Sequence, residues 1–291
     1  MTVQLAGLTP YAHVIGDPIA HSRSPVIHGF WIEKLGLTAH YDKRLVRPDM
    51  LADYLAGCAG DPDWRGCNVT MPHKQAILPL LDRIDSLAAK VGAVNTVVRG
   101  DDGRLAGYNT DVAGFIEPLQ DMVRQRHLFR MARVIGAGGA ARAIITALAN
   151  EGFVLVVAAR DPGKARLLLD ELDPAGDHHT APLSHFAGVT DFEFDDRNGC
   201  CDLIINASPL GMAGQAGLKF DLTHAPPGSI FYDIVTDPPQ TDFLKAARTA
   251  GFATIDGYSM LIGQAAAAFE LFFGRAAPRE FDSELRERLM A

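Results

Sequence analysis

The chain has 291 residues, 48% of them hydrophobic, enough for two domains of ordinary size and incompatible with disordered or fibrous classes. Its 35 acids and 27 bases give a net charge of −8 with no long block of either sign, so no basic surface marks a nucleic-acid partner. The opening MTVQLAGLTPY lacks the basic region and apolar core of a secretory signal; the expected form is a cytoplasmic monomer or homodimer acting on a small molecule.

Ala12 to Ile15 are a short apolar run ending in Gly16-Asp17-Pro18, and Ser24-Pro25 opens an amphipathic stretch that Gly36 closes, which predicts strand, loop, helix. Ser22 and Ser24 fall in that loop, at the carboxyl edge of a sheet, where open α/β folds bind ligands. Two hydroxyls one residue apart can both hydrogen-bond a carboxylate, although Ser24 before Pro25 is equally a good helix N-cap. A second strand from His40 to Val46 leads to a helix from about Pro48 to Ala56, and a third from Gly66 to Thr70 leads into a helix opened by Pro72. Repeated βα units predict a mostly parallel sheet. Val94 to Val98, the turn Asp101-Asp102-Gly103, and Leu105 to Tyr108 predict a hairpin added to it.

Within Asn68-Val69-Thr70-Met71-Pro72-His73-Lys74, Thr70 or Met71 falls near a helix cap with Pro72 in the first turn. Lys74 then sits at the positive end of a helix dipole, where stability does not account for it and where the field favours its neutral, proton-accepting form. Asn68, Thr70, Asn95 and Asn109 add polar groups at strand ends, each explicable as a turn residue, together suited to a polyhydroxylated ligand. Asp111 is a helix N-cap or the partner of Lys74, and its helix extends to about Met122.

From Ala132 the pattern becomes strand, glycine turn, helix, strand. Gly136-Ala137-Gly138-Gly139-Ala140-Ala141 matches G-x-G-x-x-A between a strand and a helix, the fingerprint of a turn whose backbone approaches a dinucleotide pyrophosphate. The apolar run from Val134 to Ala159 is broken by Arg142, Asn150 and Glu151, which suits buried elements better than a membrane span. The next strand ends in Arg160-Asp161; arginine there favours NADP through its 2′-phosphate, whereas Asp161 could accept a 2′-hydroxyl, which leaves NAD as the alternative. A polar stretch from Asp173 to Pro182 precedes strands at Asp202 to Asn206 and Ile230 to Ile234 and a helix at Thr241 to Ala250. Tyr258 to Phe273 form a nearly uncharged helix carrying Gln264 and Glu270. Cys58, Cys67, Cys200 and Cys201 have no zinc-ligand spacing and read as reduced structural thiols, and no metal is expected.

Taken together, the segments GDPIAHSRSPVIH from Gly16 to His28, GCNVTMPHK from Gly66 to Lys74, GAVNT from Gly92 to Thr96, YNTD from Tyr108 to Asp111, GAGGAARA from Gly136 to Ala143, NASPLGM from Asn206 to Met212 and DGYSMLIGQAAAAFE from Asp256 to Glu270 resemble the shikimate dehydrogenase family. The resemblance implies an α/β protein of two domains. Residues 1–111, completed by returning helices in 256–291, would bind substrate, and 112–255 would form a doubly wound, Rossmann-type NADP domain. It implies NADPH-dependent reduction of 3-dehydroshikimate to shikimate, with Lys74 as acid and base and Asp111 beside it. Ser22 and Ser24 would hold the substrate carboxylate, and Thr70, Asn95, Asp111 and Gln264 its hydroxyls. Gly136, Ala137, Gly138, Gly139, Ala140, Arg160, Ile234 and Gly257 would contact cofactor. The chain departs from the family pattern at Ala159-Arg160-Asp161, Thr236, Tyr258-Ser259 and Val112, which keeps open a paralogue acting on quinate or another cyclic hydroxy acid. A non-catalytic sensor of dinucleotide and ligand is the reading from a different class, and the retained Lys74 argues against it.

Overall fold

The structure, a computed structural model, describes residues 9–195 and 197–291. Most of the opening segment considered for a secretory signal lies outside them. The chain divides into two compact units, residues 9–110 with Gln264–Ala291 and Asp111–Gly263.

The first unit opens with β1 (Tyr11–Gly16) and α1 (Ser24–Leu35), ended by Gly36 in the left-handed region at φ 60°. β2 (His40–Leu45) is followed by α2 (Leu51–Ala59), β3 (Trp64–Val69) and α3 (His73–Ala76). The short β4 (Arg83–Ile84), α4 (Ser86–Val91), and the hairpin β5 (Thr96–Arg99) and β6 (Leu105–Tyr108) complete a six-stranded mixed sheet in the order β2-β1-β3-β5-β6-β4. β1, β2 and β3 run parallel, and β5 is antiparallel to both β3 and β6, as the hairpin signal predicts. Ile15, Val69, Trp64, Leu51, Leu55 and Ile77 pack into one apolar cluster on a face of this sheet.

In the second unit α5 (Asp111–Ile116) and α6 (Gln120–Val123) replace the single helix expected to Met122; the 3-10 turn at Glu117–Leu119 contains Pro118, which cannot donate to a continuous helix. β7 (Phe129–Ile135), α7 (Gly139–Asn150), β8 (Val154–Ala159), α8 (Pro162–Leu172), β9 (His178–Pro182), β10 (Cys200–Asn206), β11 (Ile230–Asp233), α9 (Asp242–Thr249) and β12 (Ala253–Ile255) follow. They form an all-parallel sheet in the order β12-β11-β10-β7-β8-β9, the doubly wound arrangement of a Rossmann fold. The strand order reverses between β7 and β10, and such a switch point is where these sheets bind ligands. The run suspected of crossing a membrane is β7, α7 and β8, and among the described residues no helix is long and apolar enough to span a bilayer.

α10 (Gly257–Phe273) begins in the second unit and ends in the first, where α11 (Asp282–Met290) closes the chain. α11 is tied to α1 by Lys34 to Glu284 at 2.6 Å and Arg288 to Glu33 at 2.9 Å.

Candidate active site

In the first unit, the loops after β1 and β3 are bound together. Asp17 N donates to Met71 O at 3.0 Å and Thr70 N to Ile15 O at 3.0 Å. A Cβ on Gly16 would lie 2.5 Å from Thr70 Cγ2, so glycine is what lets the two loops close on each other. Ser22 stands on the first loop, Ser24 at the start of the helix it leads into and Thr70 on the second loop, all at the carboxyl edge of the sheet. Arg23, not Ser24, occupies the N-cap of α1 and makes no capping bond itself, while Ser24 N donates to Ser22 Oγ at 3.4 Å. The capping role considered for Ser24 is therefore corrected: Pro25 shifts the helix start by one residue, and the Ser24 hydroxyl is not consumed by the helix.

The premise about Lys74 is corrected as well. Pro72 lies at the N-cap of α3 with φ −96° and ψ 11°, after a cis peptide bond, and α3 is a single turn of 4 residues. One turn sums too few peptide dipoles for a sizeable end charge. What fixes Lys74 is its backbone: its carbonyl accepts from Val94 N at 2.8 Å, and the neighbouring His73, fully buried, donates from Nε2 to Val46 O at 2.7 Å. Lys74 itself is half-exposed.

Beside this edge lies a buried, uncharged hydrogen-bond network. Tyr41 Oη donates to Asn68 Oδ1 at 2.6 Å, and Asn68 Nδ2 to Thr96 Oγ1 at 3.0 Å. Thr96 Oγ1 donates to Asn95 Oδ1 at 3.0 Å, which also accepts from Thr110 N at 2.7 Å, while Asn95 Nδ2 donates to Thr110 Oγ1 at 2.9 Å. Asn109 Nδ2 donates to Ala93 O at 2.9 Å, which holds the turn before β5. Ser24 contributes a donor to the Tyr41 oxygen and opposes the burial that pushes the phenol up. The Tyr41 ring stacks on His28 at 3.9 Å and 2°. His28 is fully buried among Trp31, Phe269 and Phe272 with no hydrogen-bond partner on either ring nitrogen, and desolvation lowers its pKa to about 3. Tyr41 and His28 were not singled out as site residues from the sequence; Tyr41, in a strand whose other residues are exposed, was the available signal. Gln264 lies at the first-unit end of α10 and is half-exposed.

In the second unit Asp111 is buried at the first position of α5. The glycine turn joins β7 to α7. Gly136 has φ 117°, and a Cβ there would lie 2.8 Å from Ala207 O, so this position admits only glycine. Gly138 and Gly139 differ: both are exposed, and a Cβ on either meets no atom within 4 Å. No side chain caps α7, whose 12 residues begin at Gly139. Unfilled space over the uncapped start of a helix fits a pyrophosphate received by backbone N–H groups from Gly138 to Ala140. Arg142 is turned away into a fork with Glu171 Oε1 and Oε2.

Arg160 is exposed after β8, and Asp161 is the N-cap of α8, its Oδ1 accepting from Gly163 N at 3.0 Å and Lys164 N at 3.3 Å. Ile234 and Gly257 approach each other, since a Gly257 Cβ would lie 2.6 Å from Ile234 O. The four cysteines are free thiols, and among the described residues no group of three or more His, Cys, Asp or Glu side chains is arranged to hold a metal.

A reversed strand order with an open glycine turn at its switch point defines a dinucleotide-binding fold, and a chain that also carries a lysine at the carboxyl edge of its other sheet has the parts of a dinucleotide-dependent oxidoreductase. Known proteins make this specific. Residues 14–97 match the model of the shikimate dehydrogenase substrate binding domain and 257–281 that of the shikimate 5′-dehydrogenase C-terminal domain. The chain is 46% identical over 285 residues to the NADP(+) shikimate dehydrogenase of Sphingopyxis alaskensis, covering 97% of this chain and 98% of that one. The shikimate 5-dehydrogenase of Thermus thermophilus in complex with NADP(H) and shikimate superposes with a TM-score of 0.80 at 31% identity, covering 97% of this chain and 100% of the other. The quinate dehydrogenase of Corynebacterium glutamicum in complex with NAD gives 0.78 at 32% identity, with 96% and 98% covered. The chain belongs to the shikimate dehydrogenase family.

Proposed function

We propose that this chain catalyses the reversible NADP-linked reduction of 3-dehydroshikimate to shikimate, with residues 1–111 and 256–291 as substrate domain and 112–255 as NADP domain. The reading rests on one observation above the others: a glycine turn open for a dinucleotide occurs in a chain 46% identical over 97% of its length to an NADP(+) shikimate dehydrogenase. Ser22 and Ser24 receive the substrate carboxylate, the Ser24 hydroxyl exchanging its bond to Tyr41 for one to the ligand, and Thr70, Asn95, Asp111 and Gln264 receive its hydroxyls. The uncharged network behind Ser24 and Asn95 suits an anionic substrate, because it holds polar groups in place without like charge. Bound NADPH supplies hydride to the ring ketone carbon. Lys74 delivers the proton to the ketone oxygen as the alcohol forms and takes it back in oxidation, and its positive charge stabilises the developing alkoxide. Asp111 orients Lys74. Gly136 to Ala140 receive the pyrophosphate, Arg160 the 2′-phosphate, and Ile234 and Gly257 border the nicotinamide. Four free thiols fit a cytoplasmic setting.

A second reading, quinate oxidation with NAD, draws on Asp161 at the ribose-reading turn. Steady-state kinetics of purified protein with shikimate and quinate, each with NADP and NAD, decides between them. Shikimate with NADP is expected to have the highest kcat/KM; preference for quinate with NAD, or no turnover of any pair, overturns the proposal.

A further inference from the structure

The second unit buries a carboxylate that the proposed chemistry does not use. Asp233, the last residue of β11, is fully buried. Three donors converge on it: Asn206 Nδ2 at 2.9 Å and Val235 N at 3.0 Å on Oδ1, and Thr241 Oγ1 at 2.6 Å on Oδ2. Desolvation pushes its pKa up, and the same three donors oppose the rise. Taking a carboxylate from water is costly unless it is well hydrogen-bonded, and an apolar side chain would serve packing alone at no such cost.

What hangs from this carboxylate shows its use. Asn206, fully buried at the end of β10, also donates to Leu210 O at 2.9 Å, and its Oδ1 accepts from Ser208 N at 3.1 Å and Ser208 Oγ at 2.7 Å. Ser208 Oγ in turn accepts from Leu210 N at 3.2 Å. The turn after β10 is thus fixed by Asn206, and the turn after β11 by the bond from Val235. Both reach the cofactor elements: Ala207 O and Ser208 Cβ lie 2.8 and 3.1 Å from the place of a Cβ on Gly136, and Ile234 O lies 2.6 Å from that on Gly257. Thr241 completes the arrangement by also capping α9 through Leu244 N at 3.3 Å.

We infer that Asp233 is a positioning residue for the dinucleotide, holding through Asn206 the turn that packs on Gly136 and through Val235 the turn that packs on Gly257. The inference rests on the dinucleotide reading above. An amide at position 233 keeps one oxygen for Asn206 and Val235 but turns its NH2 toward the Thr241 hydroxyl that donated to Oδ2, so Asp233→Asn breaks the network at Thr241 and removes the charge without changing the residue's size.

The test is calorimetric binding of NADP+ alongside steady-state kinetics and thermal unfolding, on the full chain. Asp233→Asn is expected to raise the Kd and KM for NADP+ about tenfold or more while the KM for shikimate stays within about twofold. Thr241→Val, which removes one donor, is expected to weaken NADP+ binding about threefold to tenfold, and Thr241→Ser to restore it. Equal weakening of both ligands, or an NADP+ Kd unchanged in Asp233→Asn, overturns the inference. If Asp233→Asn does not fold, Thr241→Val and Thr241→Ser binding NADP+ equally well overturns it. Binding needs no turnover, so a wild-type chain that binds NADP+ but leaves shikimate untouched overturns the substrate assignment and not this one.

Discussion

The two sheets end in buried polar networks of opposite character. In the first unit Tyr41, Asn68, Asn95, Thr96 and Thr110 interlock as neutral donors and acceptors. In the second, Asn206 and Thr241 close on the carboxylate of Asp233. A neutral network can stand behind an anionic ligand without repelling it, whereas a buried anion with its lone pairs engaged is finished with ligands and serves to fix backbone. On the proposed assignment, the neutral network backs side chains that receive the substrate, and the second network backs a turn whose backbone N–H groups receive the pyrophosphate.

The largest effect is expected where a side chain moves a proton. Lys74→Ala should lower kcat by about 100-fold to 10,000-fold, the range for loss of a positioned acid or base, with the KM for shikimate changed by about threefold at most. Stopped-flow or steady-state rates at saturating substrates check it, and a kcat within a few-fold of wild type would remove Lys74 from the reaction.

The counterpart proposed in the second unit is a backbone site, and it is tested by filling it. Gly138 has φ −94° and open space around its missing side chain, so the fold should accept aspartate there. Gly138→Asp is expected to keep the unfolding temperature and to weaken NADP+ by about 100-fold, through a carboxylate placed against the pyrophosphate. Lost stability with retained affinity would mean that the turn serves packing instead.

Acid should separate the two units. His28 has its pKa lowered to about 3 by burial and His13 to about 4 by burial and the nearby Arg44, against 6.5 for both when unfolded. Their neutral forms stabilise the first unit above pH 6.5, and that stability drains as pH falls toward the folded values. Asp233 has the opposite sign, because an acid whose pKa is raised by folding gains stability as pH falls through that raised value. Between pH 7 and 4.5, wild type should lose about 2–3 kcal/mol more than His28→Phe, which keeps an aromatic ring against Tyr41. Denaturant unfolding at the two pH values measures the difference, and hydrogen exchange at pH 4.5 should show the first unit opening before the second.

The same contrast governs what could be read in advance. The glycine turn announces itself because Gly136 answers to a backbone angle and Gly138 to empty space, and both demands are met by one residue type. Gly36 and Gly103 mark their turns for the first of these reasons. β9 and β12 escaped notice because they lie at the two edges of the second sheet, where half the pairing and much of the burial pattern are missing. The networks escaped for another reason. Asn68, Asn95, Asn206 and Thr241 are the residue types of turns and caps, and Thr241 is indeed a cap; only burial and partners reveal that they also bond across strands. The dipole argument for Lys74 rested on a helix that proves to be one turn long, because the residues after Pro72 pass from that turn into a 3-10 turn.

The smallest expected effect tests how far a satisfied carboxylate stays silent. Asp161 resembles Asp233 in accepting from backbone N–H groups, at 3.0 and 3.3 Å, but it is exposed at the start of α8 beside Arg160. Hydrogen bonds from Gly163 and Lys164 fix its position without cancelling its charge, and a 2′-phosphate received by Arg160 would feel that charge across solvent. At surface dielectric such a repulsion is worth about 1 kcal/mol, or about fivefold in affinity. Asp161→Thr keeps a capping oxygen and removes the charge, so the Kd for NADP+ should fall about threefold to tenfold while that for NAD+ rises or holds. Raising the salt concentration should shrink the difference between variant and wild type, because screening acts on the charge and not on the cap. If both cofactors weaken together, Asp161 acts only as the cap of α8, and the capped carboxylate is as inert toward ligand in the open as Asp233 is in the core.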